Sequence, residues 1–128
     1  MSAPDRVTFD MLDKVIAGLD REQVNPIDDD WFCLYTSRTD PNHHCIVGQI
    51  WHELGLPVPG YSRGDQVFPH VVADRNGTYD IYERGTLSAL RDLQARADKL
   101  ARDGGKPWAA AIDAWPAIRA YYVYEVPA

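Results

Sequence analysis

Apolar side chains recur at helical spacing in three segments of this chain, and glycine directly follows the second and third of them. This spacing puts the apolar side chains on one face of a helix, which must then be buried against another element. The segments predict helices over residues 8–19, about 42–54 and 86–103. Because 128 residues with 45% hydrophobic content can bury one modest core, we expect a single domain over residues 1–128.

Local residues support the ends of these helices. The Thr8 hydroxyl is expected to cap the first helix, and Gly55 is expected to take left-handed backbone just after the second. Gly48 lies inside the second helix, where close approach of another backbone is one explanation and chance is the other. The third helix is expected to begin near Thr86. Its Asp–Arg pairs at i,i+4 spacing are expected on the outside: Asp92 with Arg96, and Asp98 with Arg102.

Other segments predict strands. Trp31 to Tyr35 is short, aromatic and apolar, as in a buried strand. Asn76-Gly77 separates two β-prone runs, 67–74 and 78–82, and predicts a hairpin. Residues 121–126 predict a closing strand after a fourth helix over 108–115, which Pro116 ends or restarts. The sequence therefore predicts an α+β fold with about four helices and a small, mostly antiparallel sheet.

The charge and hydropathy of the chain exclude some partners. The net charge of −6 repels a phosphate backbone, so we expect no nucleic-acid partner. No apolar run approaches the roughly 18 residues of a membrane span, and residues 1–6 lack the basic start of a signal peptide. The expected location is the cytoplasm.

One cluster has the residue types of a metal centre: Cys33, His43, His44 and Cys45. His52 lies seven residues after Cys45, about 10.5 Å along a helix, so these two residues are not expected to share an ion. The spacings of common zinc motifs are absent. The alternative interpretation is two free buried thiols and two surface histidines, and no cofactor is assigned.

The same region contains the residue types of a cysteine nucleophile. Cys45 at the first turn of a helix is expected to have a lowered pKa, because the helix dipole stabilises a thiolate. His43 or His44 is the candidate base, and Asp40 the group that orients it. The competing interpretation is a buried cysteine that acts as a small hydrophobe.

The tyrosines near the end of the sequence predict an interaction surface. Tyr121, Tyr122 and Tyr124 lie on the expected closing strand. Tyrosine is enriched among the residues that dominate protein interfaces. These three residues are therefore the candidates for binding another protein.

The order of several short motifs resembles that of a group of small uncharacterised proteins of actinobacteria and their phages. The motifs are Cys33-Leu34-Tyr35, then Cys45-Ile46-Val47-Gly48, then Leu54-Gly55-Leu56-Pro57-Val58, with a late Pro107-Trp108 turn. The resemblance covers about half of the chain and excludes residues 61–85. It implies an actinobacterial or phage source and no activity, in agreement with the excess of arginine over lysine.

The leading functional hypothesis is a non-enzymatic accessory or regulatory protein that acts by binding another protein. A phage genome is one expected source. Its basis is the small size, the acidic charge and the surplus of aromatic residues. The alternative is a small metal-binding or cysteine-dependent enzyme centred on Cys33, His43, His44 and Cys45. A structural component of a virion is a further alternative.

Overall fold

The computed structural model describes residues 4–27, 34–59 and 68–125, and the described residues are mainly helical. The elements are α1 (Phe9–Ala17), α2 (Ile46–Glu53), α3 (Pro69–Arg75), a short 3-10 helix (Tyr79–Ile81), α4 (Thr86–Arg102) and α5 (Ala109–Glu125). The described ranges contain no strand, and extended pairing appears there as isolated bridges, among them Val7 with Tyr82 and Thr36 with His44. The predicted α+β fold with an antiparallel sheet is therefore wrong, and the fold is helical.

All four predicted helices are present, the fourth as the first part of α5. Thr8 caps α1 by accepting a hydrogen bond from the amide of Met11 at 3.2 Å. Gly55 has a φ of 75°, and the amide of Leu56 reaches the carbonyl of Trp51 at 2.9 Å. This is the left-handed helix end that the sequence predicts. α4 begins at Thr86, as expected.

α4 lies at the centre of the packing, in contact with α2, α3 and α5, while α1 packs on α2 and α5. Its buried face includes several alanines, which let neighbouring helices approach closely. One apolar cluster joins these elements, and its largest fully buried members are Trp51, Trp108, Tyr35, Phe9, Leu12, Ile46, Ile50, Leu90 and Leu93.

The predicted hairpin around Asn76-Gly77 is wrong. The residues before it form α3, whose first residue is Pro69, a position where proline needs no amide donor. Gly77, with a φ of 68°, follows the end of α3. The amides of Gly77 and Thr78 bond the carbonyls of Asp74 (3.1 Å) and Ala73 (2.8 Å). The left-handed glycine that a hairpin turn requires is used here to end a helix, in the Schellman pattern.

The predicted closing strand over 121–126 is also wrong. Residues 121–125 are helical, since α5 extends to Glu125, and residue 126 lies outside the described residues. α5 continues through Pro116, whose side chain is exposed to solvent. Ile118 is buried against the core and Tyr122 packs against it. Burial of this helical face outweighs the β-propensity of the tyrosines and valine.

The region expected to form a strand before α2 is only partly described. Trp31, Phe32 and Cys33 lie outside the described residues, and Leu34 and Tyr35 belong to no strand. The predicted start of α2 at about Asn42 or His43 is three to four residues too early. The helix begins at Ile46, and Cys45 is its N-cap. His43 and His44 therefore precede the helix.

Gly48 packs α2 against the backbone of Tyr35. A Cβ at this position would lie 2.9 Å from the Tyr35 carbonyl oxygen and 3.2 Å from the His44 Cβ. The first contact is with backbone, which cannot move aside as a flexible side chain does. The close approach considered from the sequence is therefore present.

We expect Gly48→Ala to destabilise the protein by about 1–3 kcal/mol, because the overpacking outweighs the helix propensity of alanine. Gly18→Ala is the matched control, since its Cβ would meet nothing closer than 3.6 Å and its φ is −94°. The control is expected to be neutral or to stabilise by about 0.5 kcal/mol. Urea unfolding of both variants measures the difference, and a stabilised Gly48→Ala contradicts the close contact.

Candidate functional site

The start of α2 is the junction where the sequence places its candidate chemistry, and side chains from three parts of the chain cap it. The amide of Ile46 donates to Asn25 Oδ1 at 2.8 Å, and that of Val47 to Gln94 Oε1 at 3.2 Å. The amide of Gly48 donates to Cys45 Sγ at 3.3 Å. These are amides without a carbonyl partner in the helix, and all three are satisfied although the site is buried.

The carboxylate of Asp98 holds the side-chain amides of Asn25 and Gln94 in place. Asp98 Oδ1 accepts from Asn25 Nδ2 at 2.7 Å and from Gln94 Nε2 at 3.1 Å. The Trp108 indole donates to Asn25 Oδ1 at 2.7 Å. Asn25, Gln94 and Asp98 are 2%, 4% and 6% exposed. We call these residues with Trp108 the α2 cap network.

The prediction of Asp98 on the outer face of α4 is wrong, because Asp98 is buried. The roles of Asn25 and Gln94 were not predicted. The available signal was spacing: Gln94 and Asp98 lie at helical intervals from Leu87, Leu90 and Ala101, on the buried face. No comparable signal marks Asn25, because its role depends on residues far away in the sequence.

Cys45 does not have the environment of a nucleophile. Its side chain is fully buried and it is a free thiol. Burial raises the pKa of the Cys45 thiol, and the hydrogen bond from the Gly48 amide opposes this only in part. The expected lowering of this pKa by the helix dipole is therefore wrong, because desolvation of the thiolate dominates.

The two histidines before α2 point to different partners. His43 Nε2 lies 2.7 Å from the carbonyl oxygen of Val24, and His44 Nδ1 lies 2.9 Å from Thr36 Oγ1. No hydrogen bond within the described ranges joins either imidazole to Cys45. Cys33, the fourth member of the predicted cluster, lies outside these ranges. No group of three metal-ligating side chains occurs among the residues that the structure describes.

His52 approaches His44 instead. Their ring centroids are 5.4 Å apart, with an angle of 34° between the planes. Burial lowers the pKa of His44, and the nearby His52 lowers it further. Helix spacing predicted the separation of His52 from Cys45 but not this pair, which forms because His44 lies before the helix.

The predicted tyrosine surface lies on the last turns of α5. Tyr121 is 59% exposed, and its ring meets the ring of Tyr122 edge-on at 5.0 Å. The Tyr122 hydroxyl donates to Asp92 of α4 at 3.3 Å. Tyr124 belongs to α5, but its side chain lies outside the described part of the chain. The two described tyrosines are adjacent on a helix and not on a strand edge.

A second group of exposed apolar side chains surrounds α3. Phe68, Val71 and Tyr79 are 41%, 38% and 49% exposed. The Arg91 guanidinium lies 4.6 Å from the centroid of the Phe68 ring, in a cation–π arrangement. This group was not predicted, because the segment was expected to form a hairpin.

Comparison with protein-family models, curated proteins and solved structures found no match. Within the described ranges, no helix has both the length and the apolar composition needed to cross a membrane.

Asn25→Ala tests the α2 cap network. Removing the amide leaves the Ile46 amide and the Trp108 indole buried without an acceptor, at about 1–3 kcal/mol for each group. We expect the free energy of unfolding to fall by about 3 kcal/mol or more. Asn76→Ala is the control at an exposed position after α3, with an expected change within about 0.5 kcal/mol. Denaturant unfolding of both variants measures the difference. Equal, small losses in the free energy of unfolding contradict the role of Asn25.

Stability is expected to fall as the pH falls below about 6.5, because the pKa of His44 is lowered from its ordinary value of 6.5. The unfolded chain takes up a proton at His44 near that pH, while the folded chain resists it. The loss begins near pH 6.5 and ends at the lower pKa of the folded state.

His44→Asn keeps a donor for Thr36 and removes the titration, so its stability is expected to fall less with acid. Part of the pH dependence remains, because burial lowers the pKa of His70 as well, and Arg91 adds to it. Urea unfolding between pH 5 and 8 measures the slopes. An unchanged slope in His44→Asn shows that His44 is not responsible.

Proposed function

We propose that this protein is a non-enzymatic accessory or regulatory protein that acts by binding another protein. The exposed side chains Phe68, Val71, Tyr79 and Tyr121, here called the aromatic surface, are the proposed contact. The observation that carries the proposal is their exposure, since these are the large hydrophobic residues that the described part of the fold leaves open to solvent. Contiguous exposed apolar groups mark interaction sites, and Phe68, Val71 and Tyr79 lie together on or beside α3.

The composition of the aromatic surface supports this role. Tyrosine and arginine are enriched among interface residues with large binding energies. Tyr79 and Tyr121 supply rigid rings, and Arg91 lies over Phe68. α4 connects the two parts of the surface, because Phe68 contacts Arg91 and the Tyr122 hydroxyl binds Asp92, the next residue of the same helix.

A cleft beside this surface indicates the charge of the partner. It has a volume of about 360 Å³ and lies between the 3-10 helix and the start of α4. Tyr79, Asp80, Glu83 and Arg84 line it. Within the described ranges, neither carboxylate has a hydrogen bond or ion pair. With the net charge of −6, this favours a partner that presents basic side chains around an apolar centre.

The alternative of a cysteine-dependent enzyme receives less support. Cys45 is fully buried, and it serves as the N-cap of α2. His43 and His44 bond to Val24 and Thr36 and not to the thiol. The proposed setting is the cytoplasm of an actinobacterium, or of the host if the protein comes from a phage.

Affinity capture from an actinobacterial lysate tests the proposal when wild type and variants are compared. Val71→Asp adds a charge to the centre of the exposed α3 face, and we expect it to lose a protein that wild type retains. Ala110→Asp is the matched control at an exposed position near the start of α5, and it is expected to retain the same protein. Binding of the purified partner should weaken with increasing salt, because basic and acidic surfaces attract.

Three results contradict the proposal. The first is that no protein distinguishes wild type from Val71→Asp. The second is equal loss with the Ala110→Asp control. The third is self-association through the same surface, seen by light scattering as an oligomer that Val71→Asp dissolves, which favours a structural component of a virion instead.

A further inference from the structure

We propose that His44 and His52 together bind one divalent transition-metal ion at the surface beside α2. The proposal does not depend on the proposed protein partner. It differs from the cluster predicted from the sequence, since it excludes Cys33, His43 and Cys45. It depends on the spacing of the two rings, on the tautomer of His44 and on the exposure of His52.

The spacing of the rings suits two ligands on one ion. Zinc–nitrogen bonds are about 2.0–2.1 Å long and tetrahedral angles are close to 109°, so two imidazoles on one ion have ring centroids about 5 Å apart. The centroids of His44 and His52 are 5.4 Å apart. His52 is exposed, so its side chain can complete the geometry without disturbing the core.

The hydrogen bonds of Thr36 set the tautomer of His44. The Thr36 hydroxyl has one proton, and it donates this proton to the Pro59 carbonyl at 2.9 Å. Thr36 Oγ1 therefore accepts from His44 Nδ1 at 2.9 Å. The Nδ1 atom holds the proton, and Nε2 keeps its lone pair for a metal. Metal-binding histidines commonly have their second nitrogen held by such a bond.

The ligand set is two imidazole nitrogens, one from His44 just before α2 and one from His52, which is exposed on α2. Imidazole ligands suit zinc, copper and nickel. Water supplies the remaining ligands, which predicts moderate affinity and an accessible ion.

Titration of untagged protein with Ni²⁺ at pH 7.5 tests the proposal, with calorimetry for affinity and NMR for location. We expect one ion per chain and paramagnetic broadening of the His44 and His52 imidazole signals. His52→Ala is expected to lower the affinity at least tenfold, and His44→Asn is expected to do the same while keeping the hydrogen bond to Thr36. His70→Gln is the control and is expected to bind as wild type does.

The proposal is overturned if wild type does not bind Ni²⁺, or if His52→Ala binds within threefold of wild type. Broadening centred on His43 or His70 overturns it as well. His52 is exposed, so the first variant is expected to fold and decides the question even if His44→Asn is unstable. Thermal unfolding supplies a second measure, because Ni²⁺ should raise the Tm of wild type and not that of His52→Ala.

Discussion

The buried N-terminus of α2 is the constraint around which the rest of the structure is arranged. A helix start carries unpaired amide donors, and burial without partners costs about 1–3 kcal/mol for each of them. Here the acceptors come from the loop after α1, from the middle of α4 and from Cys45. The polar network therefore fixes how α2 lies on α4, and the close contact at Gly48 fixes its depth against Tyr35. Apolar packing alone does not set such a register.

The same requirement explains the chemical character of the junction. A thiol that accepts a helix amide in a fully buried site serves to satisfy the backbone and is poorly placed to react. Asp98, the acidic group nearest the cap, is occupied by two amide donors. The histidines are held at the margin of this network, which leaves His44 in contact with solvent-exposed His52 and separates His43 from it. The residue types of an active site are present, but their hydrogen bonds are used for folding.

Much of the helical structure was predictable from the sequence, and the reasons for the failures are local. The first three helices that periodicity indicated are present because spacing and end signals agreed at Thr8 and Gly55. The hairpin predicted at Asn76-Gly77 was wrong because a hairpin turn and a helix end both need a residue with left-handed backbone, so the glycine does not distinguish them. Tyr121 and Tyr122 misled because intrinsic preference for strands is weak compared with burial of a helical face. At the candidate site, the residue types near Cys45 were identified, but the directions of their side chains depend on Asn25, Gln94 and Thr36, which no local pattern connects to them.

Proline at position 116 has a consequence for how α5 presents Tyr121. Proline has no amide hydrogen, so the carbonyl of Ile112 lacks its usual donor inside the helix. Buried side chains hold the helix on both sides of this gap, Trp115 before it and Ile118 after it. Arg119 adds ion pairs to Asp10 and Asp13 of α1. Tertiary contacts therefore compensate for the missing hydrogen bond, and the exposed ring of Tyr121 is carried on a helix that its own buried face keeps in place.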